Sequence, residues 1–378
     1  PAGSLTALRL ARAGHRVALI DRRRFPRDKA CGDGLIPDAL AALARNGLLD
    51  RVVARGARWS RATVYGPVRA CVDIDAELVT IRREMLDAEL AAAAVEAGAT
   101  LATGLAHQID DRGERGATVR LAGGAAIDAR LVGIATGANV ALLERCGLLE
   151  RASPSALAIR TYVHSTVSID RPIVSFDHRI LPGYGWIFPM GDGVFNVGCG
   201  ALAPGDDEAP LDLRHMLSVF LDSFPLGREL AAGEQKREAL RGAMLRCGLA
   251  GARPHAGGAV FAVGETIGTT FPLTGEGIGK ALETAELGSS LADEALRGEG
   301  VRALSRLQGA LQTRLRPKYR GYEFGAWCAS RSWLIEWLLR RAQRRPGVRR
   351  AFSDILAERV DAAEVFSARG LVRALFLS

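Results

Sequence analysis

No apolar run in the 378 residues approaches the ~20 that a membrane-spanning helix needs, so no such helix is expected in them. No secretory signal is visible either. The six cysteines (31, 71, 146, 199, 247 and 328) stand far apart and include no C-x-x-C pair. Neither a disulfide framework nor a zinc site is therefore expected, and a reducing cytosol is the expected compartment. Six histidines sit singly, without the spacing of metal ligands, so no metal is expected. Aromatic residues are few, and there is no internal repeat or low-complexity linker. A net charge of +8 is modest for this length and comes with no nucleic-acid motif, so nucleic acid is not an expected partner. Glycine, by contrast, is plentiful at 43 residues, which suits an α/β protein with many tight turns. The length suits two lobes.

The opening stretch, "PAGSLTALRLARAGHRVALID", reads as a helix followed by a strand. Leu5, Leu8 and Ala11 recur at helical spacing, and Gly14 is placed to cap that helix. Val17, Leu19 and Ile20 form a short parallel strand that Asp21 closes. In dinucleotide-binding units a glycine-rich turn leads into a helix whose N-terminus faces a pyrophosphate, and an acid after the second strand takes a ribose hydroxyl. Asp21 follows Gly3 by 18 residues, the interval such units use. Pro1, Ala2 and Gly3 then form the tail of a G-x-G-P-A-G turn. Taken alone, the stretch reads equally as an ordinary βα unit with a surface Asp. Near the far end, "AVFAVGETIGTTFPLTGEGIGKALETAELGSSLA" (259–292) repeats the theme: strand, Gly-Glu pair, proline-containing loop, long helix. Gly275, Gly277 and Gly279 let backbone amides approach an anion at that helix start. Two such helix starts fit one cofactor clasped by segments distant in sequence.

Three segments make the pattern specific: "FPRDKACGDGL" (25–35), "YGWIFPMGDGVFNVGCG" (184–200) and "VGETIGTTFPLTGEGIGKAL" (263–282). In this order they resemble signatures of the geranylgeranyl reductase family, a branch of the FAD-dependent fold shared with para-hydroxybenzoate hydroxylase. The resemblance implies an α/β (α+β overall) architecture: a discontinuous Rossmann-like FAD-binding domain over 1–70, 83–150 and 255–300, an antiparallel-sheet substrate domain over 71–82 and 151–254, and a helical C-terminal region over 301–378. It also implies that the first strand and leading glycines of the FAD fingerprint are missing, so that a chain beginning at Pro1 binds FAD poorly. By the same resemblance Ala2 and Gly3 stand near the pyrophosphate and Asp21 at the ribose. Cys31, Gly32 and Gly34 match a Cys-Gly-x-Gly turn beside the flavin. Arg83 matches the Arg of R-x-x-L-D, Ala106 a backbone contact near the adenine, and Gly277 and Ile278 a helix start facing the flavin ring. Glu265 occupies the place of an Asp that binds the ribityl chain, and Thr136 replaces the acid of an A-D-G sequence.

For the chemistry, the resemblance implies reduction of an isolated prenyl double bond by reduced flavin, with NAD(P)H or ferredoxin left open as the electron donor. An unactivated alkene offers no carbonyl to polarise, so the site must align it and exclude water. Tyr184, Trp186 and Phe188 point to one face of a strand; that spacing alone favours a plain sheet core, and with the resemblance they and Pro189 are the candidate substrate wall. Cys31 is the candidate catalytic residue, as proton donor or as a gate at the flavin, and otherwise a small residue at a tight turn. From about 301 the chain turns rich in Trp, Leu and Arg, which suits either peripheral contact with an anionic membrane or a helix capping the substrate lobe. The expected partner is a prenyl-chain lipid or pigment. A flavin monooxygenase, a halogenase (which would carry W-x-W-x-I-P where this chain has Y-G-W-I-F-P) and a non-catalytic lipid-binding relic are the rival readings.

Overall fold

The computed structural model describes residues 1–68, 70–203, 211–365 and 367. Its first helix, Ala2–Arg12, buries Leu5, Leu8 and Ala11 along one side, as their apolar spacing requires. The chain turns at Gly14, and Ala18–Asp21 follows as a strand paired in parallel with Thr100–Thr103. A second parallel pair joins Val132–Ile134 to Val260–Ala262, so that segments far apart in sequence meet. These pairs are two separate two-stranded sheets. Helix Ala2–Arg12 packs between Arg83–Glu96 and Ile278–Glu294, and one apolar core runs through all three. An antiparallel meander of Ala106–Asp111, Ala117–Leu121 and Ala126–Ala129 lies beside them.

The second lobe is built on a nine-stranded, largely antiparallel sheet. Its order is Glu234–Arg237, Ala156–Ser165, Val194–Leu202, Tyr184–Gly191, Ile173–Ser175, Ala57–Tyr65, Cys71–Thr80 and Gly34–Leu35, with Arg241–Leu245 also paired to Ala156–Ser165. Ala57–Tyr65 lies outside the 71–82 segment expected in this sheet, yet Cys71–Thr80 pairs with it along most of its length. Gly34–Leu35 brings the Cys31–Gly34 turn to the edge of the same sheet. On one face, helix Leu213–Ser223 buries Leu217, Phe220 and Leu221 against Val197 and Cys199.

Helices occupy much of the described C-terminal region: Arg306–Arg314, Arg316–Ala329, Ser332–Arg344, Pro346–Leu356 and Ala362–Val365. Residues 366 and 368–378 of the expected helical region lie outside the described residues. Ile335, Leu339 and Val348 pack on Val72 and Ile74 of the large sheet. The contact is pinned by the buried Glu336 carboxylate, which accepts the Ala70 and Val68 amides at 3.2 Å. Among the described residues no helix is long and apolar enough to cross a membrane.

Candidate active site

A cavity of about 820 Å³ lies where the two lobes and the C-terminal helices meet. Ala2, Asp21, Cys31, Gly32, Gly34, Arg83, Ala106, Glu265, Gly277 and Ile278 all line it, together with Tyr184, Trp186 and Phe188. Two expected site residues do not. Gly3 faces the strand beside the helix, where an added Cβ would lie 3.2 Å from that of Ala135. Pro189 follows Phe188 in a strand, so strand alternation turns it to the other face, and its carbonyl accepts the Thr80 hydroxyl at 2.6 Å.

One end of the cavity is charged. Asp21, at its strand terminus, accepts Arg27 Nη2 at 2.9 Å on Oδ2 and the Arg23 amide at 2.9 Å on Oδ1. Arg27 also donates to Asp87 at 2.9 Å, and Arg83 grips Asp87 through Nε at 3.0 Å and Nη2 at 3.1 Å. Burial opposes ionisation of Asp87, but Arg83 and Arg27 outweigh it and hold the carboxyl well below its ordinary range. Burial also pushes the Cys31 thiol up, keeping it protonated, while the neighbouring Arg83 pulls the other way. Arg83 thus links the turn of Cys31 to an ion pair that the sequence did not reveal.

Asp33, the unassigned position of the Cys-Gly-x-Gly turn, is fully buried with φ +63. Its carboxylate accepts the Tyr162 hydroxyl, Asn196 Nδ2 at 2.8 Å and the Arg83 amide at 3.2 Å. Asn196 also donates to the Cys31 carbonyl at 2.8 Å and accepts Trp186 Nε1 at 2.9 Å. Burial pushes the Asp33 carboxyl up to about 6, against those hydrogen bonds. The network ties the turn to the aromatic strand. An acid flanked by two glycines was the one signal available for Asp33. Tyr162 and Asn196 carry none, because only the pairing of their strands sets them opposite one another.

Opposite this turn, Lys29 Nζ pairs with Glu265 Oε2 at 2.8 Å, while Glu265 Oε1 is buried and has no hydrogen-bond partner. Thr136 donates to its own loop at Asn139 O, 2.7 Å away. At the start of helix Ile278–Glu294, Gly275 has φ +65, and an added Cβ would sit 2.5 Å from Tyr184 Oη. Tyr184 Oη donates to the Thr274 carbonyl at 3.0 Å, fixing the loop to the sheet.

The other end of the cavity is apolar. Tyr184, Trp186 and Phe188 follow one another at ring separations of 6.0 and 6.4 Å. The Phe188 ring reaches to 3.3 Å from where a Gly34 Cβ would stand, so the wall begins at the turn itself. From there the lining continues between Val64, Ile74 and Val174 of the sheet and Ala326, Leu338, Phe352 and Leu356 of the C-terminal helices.

Residues 1–174 match the family described as lycopene cyclase protein. Menaquinone reductase of Mycobacterium tuberculosis is 34% identical over 312 residues, covering 78% of this chain and 74% of that one. Digeranylgeranylglycerophospholipid reductase 2 of Methanopyrus kandleri is 28% identical over 313 residues, covering 80% and 77%. Among solved structures, a geranylgeranyl bacteriochlorophyll reductase-like protein of Thermoplasma acidophilum superposes with a TM-score of 0.76 at 20% identity, over 99% of this chain and 93% of that one.

Proposed function

The chain belongs to the geranylgeranyl reductase family, and on that premise we propose that it is an FAD-dependent oxidoreductase which reduces carbon–carbon double bonds in the prenyl chain of a lipid. One observation carries the reading: a single cavity joins the charged cradle of Asp21, Arg83 and Glu265 to an apolar arm that opens at the aromatic wall.

The residues present fit FAD. Glu265 Oε1 is a buried acceptor that lacks a donor; a ribityl hydroxyl would supply one, and buried polar atoms rarely stay unpaired. Asp21, oriented by Arg27, would bind the ribose, and Ala2 and Ala106 would flank the dinucleotide. Arg83, the Cys31–Gly34 turn, Gly277 and Ile278, which line the same cavity, would hold the flavin. Bound FAD, once reduced, supplies the hydride.

The protein supplies position. Tyr184, Trp186 and Phe188 hold the isoprenoid chain beside the Cys31–Gly34 turn, and the arm beyond them excludes water. The thiol of Cys31, which burial keeps protonated, lines the cavity and would stand beside the bound cofactor. A quinone prenyl chain is the first substrate to test, since the mycobacterial relative is named a menaquinone reductase. Peripheral membrane contact belongs to the same proposal: Trp333 is 70% exposed, and Trp327, 47% exposed, carries the Arg331 guanidinium 3.8 Å above its ring, a surface suited to anionic headgroups.

FAD-loaded protein, reduced with dithionite and offered menaquinone and a panel of prenyl lipids, is expected to yield products heavier by two hydrogens per reduced bond. Products carrying oxygen or halogen, or a flavin that no prenyl chain reoxidises, would refute the reading.

A further inference from the structure

An isolated alkene that takes hydride on one carbon needs a proton on the other. One carboxyl bordering the cavity carries an oxygen that no group among the described residues pairs. Glu276 precedes helix Ile278–Glu294 and lines the cavity where the loop bound by Tyr184 meets the apolar arm. It is 8% exposed, and its Oε1 accepts the Gly279 amide at 2.5 Å. Its Oε2 is buried with no hydrogen-bond partner.

The surrounding charges do not balance. Asp38 from helix Pro37–Arg45, Glu283 from the same helix as Lys280, and Glu358 from the C-terminal region all lie within ion-pair distance of Lys280 Nζ, at 3.3, 2.7 and 2.5 Å. Lys318 adds a second ammonium, 2.8 Å from Glu358. Four carboxyls thus share two cations, and among the described residues Glu276 is the one of the four with no ion pair. Tyr319 and Tyr322, both buried, lie near the cluster. Among the described residues no three of these acids converge as metal ligands. The cheapest arrangement leaves a proton on Glu276, and burial together with Asp38 and Glu358 pushes that carboxyl well above its ordinary range.

We propose that Glu276 holds a proton in the cavity and delivers it to the substrate double bond. The inference rests on the prenyl-reductase reading. As the π bond breaks, the hydride and its electron pair form one C–H bond. The π pair forms the other with the proton leaving the Glu276 hydroxyl. The carboxylate left behind regains its proton from water once the product has left the cavity. Two other protic groups of the wall are engaged: Tyr184 donates to the Thr274 carbonyl, and the Asp33 carboxylate accepts three donors.

Glu276→Gln tests this cleanly, because its amide oxygen still accepts the Gly279 N–H while the acidic proton is gone. In the oxidised FAD-loaded protein at neutral pH, the infrared difference between native and variant should show a protonated-carboxyl C=O band in the native chain. After dithionite reduction, reoxidation by menaquinone should slow at least about a hundredfold in the variant, with flavin content and melting temperature unchanged. An absent band, or a variant that turns over at the native rate while Cys31→Ala does not, overturns the proposal. So does loss of flavin and melting temperature together, which would make Glu276 a helix cap. A native chain that shows the band yet leaves every prenyl chain untouched counts against the prenyl reading, not against the buried proton.

Discussion

Replacing Trp186 with alanine separates a substrate wall from a plain core. The ring is 5% exposed, its Nε1 donates to Asn196 at 2.9 Å, and Tyr184 and Phe188 flank it. Truncating a buried Trp costs about 3–5 kcal/mol where the site is packed on all sides. Here part of the ring borders the cavity, so the lower end is expected, about 3 kcal/mol. Leaving Asn196 Oδ1 without its donor adds about 1–3 kcal/mol. Trp186→Phe keeps an aromatic wall but loses the N–H together with part of the indole's volume, so its cost sets an upper bound on that second contribution. Three quantities are then read from one sample: melting temperature, flavin content, and reoxidation of dithionite-reduced flavin by menaquinone. For the alanine variant flavin content should hold and reoxidation should fall about a hundredfold, the scale of a ~1 Å misplacement. Trp186→Phe should lose stability but keep most of the rate. If all three quantities fall together in the alanine variant, the strand is scaffold; if reoxidation is unchanged, the alkene is held elsewhere.

Asp21→Ala should weaken FAD retention by about 1–3 kcal/mol, the scale of a lost charge-assisted bond, and should barely move the melting temperature; equal flavin content after gel filtration would remove the assignment. Arg83→Ala should lose both flavin and stability, because it leaves Asp87 buried without its main counter-ion. For Asp33, whose carboxyl rises from 3.8 to about 6 on folding, the native state binds more protons than the unfolded state between those values. Its contribution is therefore fully present below pH ~4 and is lost as pH rises through about 6, about 3 kcal/mol in all. Asp33→Asn should flatten that fall in denaturant titrations taken across the window, and an unchanged pH profile would contradict the assignment. Trp333→Ser should reduce flotation with vesicles containing anionic lipid by at least a few-fold and leave neutral vesicles unaffected; equal flotation would place the contact on another surface.

What was legible in the sequence was local. The helix and strand around Gly14, the Cys31–Gly34 turn and the glycine-rich helix start each carry their signal within about a dozen residues, and all of them border the cavity. Pairings between distant segments were not legible. Arg27 reaches Asp21 and Asp87, Lys280 gathers Asp38 and Glu358, and Asp33 meets Tyr162 and Asn196 only because strand register aligns them. Pro189 shares a motif with Phe188, yet one step along a strand reverses the face. Ala57–Tyr65 joins the large sheet because Cys71–Thr80 needs an antiparallel neighbour, a fact of sheet assembly rather than of composition.

The parallel pair Val132–Ile134 and Val260–Ala262 also bears on how the protein is made. On the ribosome the first strand emerges about 125 residues before its partner. At ordinary synthesis rates that delay is roughly 6–25 s, long compared with the closing of any local helix or hairpin. Throughout it, Ile134 and the neighbouring apolar surface have no native cover. The cofactor cradle also needs Glu265, Gly277 and Ile278, so a nascent chain cannot recruit the cofactor as a folding aid until that late segment is out. The apolar arm closes later still, when Leu338, Phe352 and Leu356 arrive. Nascent chains stalled before residue 260 should therefore engage chaperones more heavily than chains stalled after 294.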